Sequence, residues 1–352
     1  MKAVLHHETG GSEVLRHVTV PDPVPGRSDV VVQVEACALN RLDIVQRAGG
    51  YQMPGFHYPH IPGMDVAGTV VAVGDDVRGV AIGDRVVIDP LLSCVPEGSR
   101  FAGRNDDDHA DDRRASDEVA VIGGTEDGGY AELCLAPASH VFPVPDDMPI
   151  THAATFPTCW LTASHGLFAV GGLQRGENVL IHAAGAGVSV AAIQLAKRAG
   201  ATVLATAGTD EKCARAVQLG ADHVVNNRTG DVAAWVRSIT DGAGVDLVFD
   251  HVGTALFGPS LFALGHHGRL VSCGNSSGDA ATIPSLGYLF HHGISIRGSD
   301  RYRPDEFGPL WQTFCTERFE VPIHAEFALA DAAGAQDALD SRDVFGKILL
   351  RP

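Results

Sequence analysis

The stretch that decides the fold of the second half of the chain is NVLIHAAGAGVS, residues 178–189. Its first six residues form a short apolar run typical of a buried strand, and the amphipathic stretch Val188–Ala199 predicts a helix after it. Small residues between the two allow a backbone to approach a pyrophosphate, and the N–H groups that begin the helix favour negative charge. The turn therefore predicts a nucleotide site, with Ala184, Gly185, Ala186, Gly187, Val188 and Ser189 as cofactor-binding residues.

The dinucleotide pattern G-x-G-x-x-G is matched here only in part. Gly185 and Gly187 fit the first two glycines, whereas the third position holds Val190, or Ser189 in a shifted reading. An incomplete glycine pattern is weak by itself. Its position between a buried strand and an alanine-rich helix strengthens the prediction, and the alternative is a tight strand–helix turn that binds no ligand.

Outward from this turn, apolar runs alternate with helical patterns. The further strand candidates are Ala201–Ala207, Asp222–Asn226, Val245–Asp250, Arg269–Cys273 and Ile294–Arg297, and Asp210–Leu219 is a further helix candidate. Strands and helices that alternate at this spacing predict a parallel, doubly wound sheet of the α/β class. The residues before 150 differ, because short β-branched runs such as Val30–Val34, Val66–Val73 and Arg85–Ile88 are separated by turn residues. The tail from 301 has a mixed pattern and ends in a strand candidate at 346–350.

The end of the second strand predicts which dinucleotide binds. Units that bind NAD place a carboxylate there to hold the ribose 2′-hydroxyl, but this strand ends in Ala207 and Gly208. A small residue leaves room for a 2′-phosphate, to which Thr209 and Lys212 can supply a hydroxyl and a cation. The expected cofactor is NADPH. In the alternative, Lys212 is a solvated residue in the first turn of a helix, and Asp210 and Glu211 weaken the electrostatic argument.

Composition narrows the class of protein. The formal net charge of −17 over 352 residues argues against nucleic acid or an anionic membrane as a partner. The N-terminus lacks a signal-peptide pattern, and no apolar stretch reaches membrane-spanning length. The seven cysteines are scattered without a C-x-x-C pair, which favours reduced thiols in a cytoplasmic protein. Residues 95–120 are rich in acidic side chains and are expected to form an exposed lobe or loop.

Several motifs in order resemble the medium-chain dehydrogenase/reductase superfamily over essentially the whole chain. They are GMDVAGTV (63–70), the segment 77–86, GGYAE (128–132), the turn at 182–189, LGAD (219–222), DHVG (250–253) and GK (346–347). The resemblance implies a GroES-like β-barrel catalytic domain at 1–151 and 301–352, and a Rossmann NADP-binding domain at 152–300. It also implies a homodimer formed by the edge strand at 294–298, whose open edge would need covering.

The chain departs from the zinc-dependent members of that superfamily. Asn40 stands where the resemblance implies a ligand Cys, and Met64 stands where it implies a ligand His. Amide and thioether groups are poor substitutes for zinc ligands. The resemblance also implies a lobe in which four cysteines hold a second, structural zinc. That lobe would fall near Cys94, but no further cysteine appears before Cys134. We therefore expect no metal site, and we expect Cys37 to pack as a small hydrophobic residue.

The segment 40–51 is instead similar to the N-x-x-D-x-x-x-R-x-G…Y pattern of the quinone oxidoreductase branch. That branch transfers a hydride from NADPH to quinones or to C=C bonds conjugated with a carbonyl. Tyr51 and Asn40 are the expected catalytic donors to a small-molecule substrate, with Asp43 and Arg47 orienting them. In the alternative, Asn40 and Asp43 cap a helix that begins near residue 41, and Arg47 pairs with Asp43. A zinc-free carbonyl reductase or alcohol dehydrogenase, and a low-turnover NADPH-binding module, remain open as functions.

The resemblance implies further cofactor contacts at other strand ends. His251 and Val252 follow one strand, and Cys273, Gly274 and Asn275 follow another, at a place where the family contacts the nicotinamide carboxamide. Thr158 precedes the helix that links the domains and is expected at the nicotinamide ribose.

Overall fold

A computed structural model describes residues 1–102 and 120–352, so most of the acidic segment 95–120 lies outside the described residues. The chain divides into two compact units. Unit 1 comprises Met1–Thr158 and Arg303–Pro352, and unit 2 comprises Cys159–Tyr302. The second unit is thus inserted into the first.

The N-terminal part of unit 1 is built mainly from short strands. The strands are β1 (Lys2–Leu5), β2 (Arg16–Thr19), β3 (Asp29–Ala38), β4 (Asp65–Val73), β5 (Arg85–Ile88), β6 (Leu91–Leu92), β7 (Ala120–Val121), β8 (Leu133–Pro137) and β9 (Val141–Pro143). The helices are α1 (Arg41–Arg47) and α2 (Ile150–Ala154). Helix α3 (Pro157–Ser164) begins in unit 1, and its residues from Cys159, with the π-helical turn at His165–Val170 that follows, belong to unit 2.

Unit 2 alternates strands and helices. Its strands are β10 (Asn178–Ile181), β11 (Thr202–Ala207), β12 (His223–Asn226), β13 (Val245–Asp250), β14 (Leu264–Ser272) and β15 (Ser295–Gly298). Its helices are α4 (Gly187–Arg198), α5 (Asp210–Gln218), α6 (Val232–Ile239), α7 (Phe257–Ala263) and α8 (Leu286–His291). The chain then returns to unit 1 with α9 (Phe307–Glu317), β16 (Ile323–Ala328), α10 (Ala332–Asp340) and β17 (Lys347–Arg351).

The sheet of unit 2 is parallel and has the order β12-β11-β10-β13-β14-β15. This confirms the predicted doubly wound α/β sheet. Strand order reverses between β10 and β13, and ligands of such sheets bind beyond the carboxyl ends of the strands at the reversal. The strand predicted at 269–273 begins earlier, at Leu264, and a register shift against β13 with a positive φ at His267 interrupts its pattern.

The main sheet of unit 1 has the order β16-β17-β3-β4-β5-β9, and β8 also pairs with β3. All of these pairs are antiparallel except that of β16 with β17. The last strand therefore lies beside β3, so the C-terminal segment of unit 1 pairs with its N-terminal segment. One apolar core, which includes Val32, Val70 and Leu350, holds this arrangement.

Aromatic packing explains why unit 1 extends to Thr158 rather than to the expected boundary at residue 151. Phe156 is fully buried, and its ring centroid lies 5.2 Å from that of Phe307 and 4.9 Å from that of Trp311. Both partners belong to α9, after the return from unit 2. Truncating a buried aromatic ring of this kind to Ala typically destabilises a fold by about 3–5 kcal/mol. The segment from residue 152 to Thr158 therefore packs within unit 1.

Candidate functional site

The turn between β10 and α4 presents a helix N-terminus that no side chain caps. Ala186 is the N-cap residue and makes no side-chain hydrogen bond, and the first turn of the 12-residue helix contains no acidic residue. Ala184 is buried, and its N–H donates to the carbonyl of Thr206 at 2.8 Å. Gly185 is buried as well, while Ala186, Gly187 and Val188 are partly exposed. The N–H groups of Gly185, Gly187 and Val188 fit a pyrophosphate, since a ligand can satisfy what a side chain does not. The N–H of Ala186 already donates to the carbonyl of Ala183 at 2.8 Å.

A buried polar network supports the turn from the core of unit 2. The His182 ring is fully buried and lies 3.0 Å from Thr206 Oγ1 and 2.8 Å from Ser260 Oγ. Burial lowers the pKa of His182 to about 4, so the ring is neutral near pH 7. Ser189 is also fully buried, and its hydroxyl donates to the His182 carbonyl at 2.7 Å. Its Oγ also lies 2.7 Å from the Nε2 atom of His251, so this hydroxyl holds the turn rather than facing a ligand.

The loops after β13 and β14 are joined by backbone hydrogen bonds. The N–H of Ser276 donates to the carbonyl of His251, and that of Ser277 donates to the carbonyl of Val252. Gly274 packs so closely that a Cβ there would lie 3.2 Å from the Cβ of His251. The expected contacts His251, Val252, Cys273, Gly274 and Asn275 are therefore brought together at one edge of the sheet. Burial raises the pKa of Cys273 to about 12, which keeps its thiol protonated and unreactive.

The ends of β11 and β12 carry the residues that would meet a 2′-phosphate. Gly208 follows β11, and Thr209 caps α5 by accepting a hydrogen bond from the N–H of Lys212 at 3.2 Å. The guanidinium of Arg228 covers Gly208, because a Cβ at Gly208 would lie 3.3 Å from Arg228 Nε. Arg228 is not among the residues predicted from the sequence, because those lie at the tip of the second strand. A basic residue soon after the third strand of such a sheet is the signal that could have found it.

In unit 1, Asn40 and Asp43 form a capping box at the start of α1. The N–H of Asn40 donates to Asp43 Oδ2 at 2.8 Å, and the N–H of Asp43 donates to the backbone carbonyl of Asn40 at 3.2 Å. The Tyr130 hydroxyl also donates to Asp43 Oδ2, at 3.2 Å. Asp43 is only 2% exposed, which favours the capping alternative over direct contact with a substrate. The pairing of Arg47 with Asp43, which belonged to the same alternative, is not among the ion pairs of the described residues, because that carboxylate is directed to Asn40 and Tyr130.

A second buried group adjoins Asn40. The ammonium of Lys347 donates to Asn40 Oδ1 at 2.7 Å and to Asp65 Oδ2 at 3.1 Å. The other oxygen of Asp65 accepts hydrogen bonds from Thr158, from its N–H at 2.9 Å and from its hydroxyl at 2.5 Å. The Thr158 hydroxyl, expected at the cofactor ribose, is thus bonded to Asp65. Lys347 entered the sequence interpretation only as part of a motif in the last strand.

The remaining expected site residues of unit 1 differ in their surroundings. Tyr51 follows α1 and is 53% exposed, so its hydroxyl is accessible to a ligand. Met64 is partly exposed, and Cys37 is fully buried, as expected for a packed thiol. Within residues 1–102 and 120–352, no group of three or more His, Cys, Asp or Glu side chains is arranged to hold a metal ion.

In the same part of the chain, no helix is both long and apolar enough to span a bilayer.

The buried carboxyl of Asp43 predicts a pH-dependent stability. Burial raises its pKa from 3.8 to about 7. Because the folded value exceeds the unfolded one, its contribution to stability is full below pH 3.8 and is lost as the pH rises through about 7. We expect the free energy of unfolding of the wild type, relative to Asp43→Asn, to fall by on the order of 4 kcal/mol between pH 4 and pH 8.

Urea titrations of both proteins across this pH range would measure that difference. Asn retains an acceptor for the Asn40 N–H, so the variant removes chiefly the ionisation. Asp343→Asn, at an exposed position, is the control and should leave the pH dependence unchanged. A difference between the wild type and Asp43→Asn that does not vary with pH would contradict the prediction.

Comparison with known proteins gives matches along both units. The model of the alcohol dehydrogenase GroES-like domain matches residues 26–146, and that of the zinc-binding dehydrogenase domain matches residues 187–315. A probable quinone oxidoreductase of Schizosaccharomyces pombe is 30% identical over 97% of this chain and 94% of its own length. A solved NAD-dependent alcohol dehydrogenase is 36% identical, with a TM-score of 0.92 and all of both chains covered. The NADPH complex of Escherichia coli quinone oxidoreductase is 27% identical, with a TM-score of 0.81 and all of both chains covered.

Proposed function

Because this chain belongs to the medium-chain dehydrogenase/reductase superfamily, in its quinone oxidoreductase-like branch, we propose that it is an NADPH-dependent, zinc-independent reductase. Its substrate is a quinone or a C=C bond conjugated with a carbonyl. The observation that carries the proposal is the group around Asn40. Where zinc-dependent relatives would place a ligand, the Asn40 amide accepts a hydrogen bond from the Lys347 ammonium at 2.7 Å.

That ammonium supports zinc independence on electrostatic grounds. A divalent cation bound at Asn40 would lie within a few ångströms of a fixed, buried positive charge. The carboxylate of Asp65, which is bonded to this ammonium, already accepts hydrogen bonds from Lys347 and from Thr158. The amide and the thioether of Met64 are poor zinc ligands as well. A donor set of this kind suits substrates that need hydrogen bonding rather than a Lewis acid.

The choice of NADPH is supported by the strand ends of unit 2. No carboxylate stands at Ala207 or Gly208, and the Arg228 guanidinium lies against Gly208. Guanidinium groups bind phosphate oxygens in a bidentate manner. Asp210 is nearby, but its Oδ1 accepts a hydrogen bond from Asn226 Nδ2 at 2.8 Å. The E. coli quinone oxidoreductase was solved with NADPH, which agrees with this assignment.

The chemistry that follows needs few groups from the protein. When bound, NADPH supplies a hydride. Addition of a hydride to the β-carbon of an enone would move the C=C electrons to the carbonyl oxygen, and the α-carbon would then take a proton from water. Asn40 and Tyr51 are the proposed donors to that oxygen, and donors arranged in advance stabilise the developing negative charge. Asp43 is a positioning residue, because its carboxylate accepts a hydrogen bond from the Asn40 N–H.

Two alternative functions differ from this one, the first in its substrate and the second in its low turnover. Similarity to an NAD-dependent alcohol dehydrogenase favours a zinc-free reductase of simple carbonyls as the second candidate. Against it, an unactivated carbonyl requires strong polarisation, and hydrogen bonds from Asn40 and Tyr51 supply less of it than a metal would. A protein that binds NADPH with little turnover is the third candidate.

We expect the purified protein to consume NADPH with 1,2-naphthoquinone or an alkenal, and to leave simple ketones unreduced. Absorbance at the NADPH band would follow the reaction, and metal analysis of the same sample should find no stoichiometric zinc. Reduction of simple ketones at comparable rates would support the second candidate. Tight NADPH binding without turnover of any acceptor would support the third.

Two further expectations accompany the proposal. β15 is the end strand of the unit 2 sheet, and Ile296 on it is 40% exposed. An open strand edge of this kind supports pairing with a second copy, so we propose a homodimer. A cytoplasmic location remains a prediction from the cysteine pattern.

A further inference from the structure

The proposed function gives no role to two buried imidazole rings of unit 1. His6 and His60 form an isolated antiparallel bridge, in which each backbone N–H donates to the other residue's carbonyl, at 3.1 Å and 3.0 Å. Directly opposed residues of such a pair place their side chains on the same face. The two ring centroids are 5.8 Å apart, and each residue is only 1% exposed. The ring of Phe56 packs against both, with centroid distances of 6.2 Å and 4.7 Å.

The backbone partners of the two rings determine which ring nitrogens carry hydrogen. His6 Nδ1 lies 3.0 Å from the carbonyl oxygen of Glu8, and His60 Nε2 lies 3.2 Å from that of Gly123. Because a carbonyl oxygen only accepts, these two nitrogens are the donors. Burial lowers the pKa of both rings, that of His60 to about 4, so both are neutral near pH 7. The remaining nitrogens, His6 Nε2 and His60 Nδ1, are therefore acceptors, and both are buried without a hydrogen-bond partner.

A buried cation lies close to this pair of rings. Arg47 is the last residue of α1 and is 5% exposed, and its Nε and Nη1 atoms are buried without a hydrogen-bond partner. After burial and the bond to Glu8, the charge of Arg47 is the next influence on the pKa of His6, which it lowers. No carboxylate of the described residues forms an ion pair with Arg47. A buried charge without a partner is costly, so this guanidinium calls for a counter-ion.

We propose that Arg47, His6 and His60 form a binding site for a small oxyanion that still carries hydrogen, of the kind represented by bicarbonate and dihydrogen phosphate. The guanidinium donates to the oxygens that bear the charge. The two imidazole nitrogens accept, so they require O–H groups from the ligand. Nitrate or formate would instead place oxygen lone pairs against those of the rings.

Two other occupants fit the three side chains less well. Neutral imidazole nitrogens are common metal ligands, but the charge of Arg47 opposes a metal cation beside His6. A water molecule can donate to both rings, but it does not neutralise the guanidinium. A monoanion that both donates and accepts satisfies the charge and the hydrogen bonds together.

Calorimetric titration of the wild type at pH 7 with bicarbonate, phosphate, nitrate and formate, at equal ionic strength, tests the ligand class. We expect bicarbonate or phosphate to bind at least about tenfold more tightly than nitrate and formate, the value of one charge-assisted hydrogen bond. The tighter of the two identifies the ligand as planar or tetrahedral. No binding of either, or equal binding of all four anions, would overturn the proposal.

Variants locate the binding. Arg47→Met removes the cation and keeps most of the apolar stem, so we expect it to lower the affinity by about tenfold or more. Arg41→Met changes an exposed cation of the same helix, one that pairs with Asp340, and should keep the wild-type affinity. Wild-type affinity in a folded Arg47→Met protein would overturn the proposal. His60→Phe keeps the cation and removes one acceptor, so it should bind bicarbonate, phosphate and nitrate about equally, and a retained preference would also contradict the site.

An NMR measurement reports on the site itself and needs neither NADPH nor turnover. The ¹⁵N signal of His60 Nδ1, identified by its loss in His60→Phe, should move when the tighter anion is added and stay in place with nitrate. Binding that leaves this signal unchanged is binding elsewhere and overturns the proposal. So does a signal that moves with Zn²⁺ and with none of the anions. Because the proposed reductase activity enters none of these measurements, its failure would leave this test intact.

Discussion

Ala186→Asp is expected to weaken NADPH binding by about 100-fold or more without destabilising the protein. Ala186 is the N-cap of α4 and has an extended backbone with φ −74° and ψ 146°. Asp is among the best N-cap residues and stabilises a helix by about 1 kcal/mol. In this position its carboxylate would take the N–H groups proposed for the pyrophosphate and repel its charge. Loss of two charge-assisted hydrogen bonds at about 1.5–3 kcal/mol each accounts for the expected change in affinity.

Fluorescence titration with NADPH and thermal unfolding would be measured on the same preparations. Ala186→Asn is the matched control, because it caps the helix without a charge and should lose much less affinity than Ala186→Asp. Equal losses in the two variants would show that competition for the N–H groups, and not charge, decides the result. Wild-type affinity in a stable Ala186→Asp protein would place the dinucleotide elsewhere and contradict the site.

Arg228→Ala is expected to reduce the preference for NADPH over NADH by about 10- to 100-fold, the value of one charge-assisted contact to a phosphate. The affinity for NADH should change little, because the guanidinium lies against Gly208, where the 2′-position of the ribose is proposed. The measurement is the ratio of kcat/KM for the two cofactors with one quinone acceptor.

Arg175→Ala provides the control for this experiment. Arg175 is also exposed, but it precedes β10 and therefore lies toward the amino ends of the strands, away from the proposed site. We expect it to leave the cofactor ratio unchanged. If Arg228→Ala affects both cofactors equally, the residue contributes to general stability or charge, and NADPH specificity must come from Thr209 and Lys212 instead.

Much of unit 2 could be predicted from the sequence, because its strands and its turn are each specified by residues that are close together in the chain. The apolar runs that became β11 and β13 and the turn at 182–189 depend on neighbouring residues, so periodicity alone locates them. Errors lie where a tertiary contact overrides the local pattern. The strand predicted at 269–273 begins at Leu264 because pairing with β13 resumes after a register shift. Phe156 joins unit 1 because rings from α9 enclose it.

The site of unit 1 was predicted less completely, for a physical reason. The pattern in segment 40–51 indicated that Asn40 and Asp43 have a role. It did not decide whether that role is helix capping or catalysis. The tertiary structure favours capping for Asp43, since its burial and its bond from Tyr130 depend on residues 87 positions away. Lys347 lies 307 residues from Asn40, and no local pattern relates an ammonium on the last strand to an amide before α1.

The sequence by itself determined the class of fold, the small-residue turn before the N-terminus of α4 and the absence of a carboxylate at the second strand tip. These properties follow from hydrophobic periodicity and from which side chains stand at a turn. Only the tertiary structure decided which polar groups meet: Arg228 with Gly208, Ser189 with His251, and Lys347 with Asn40 and Asp65. Hydrogen bonds and charges act over a few ångströms, and distances of that order between remote residues are set by sheet order and packing.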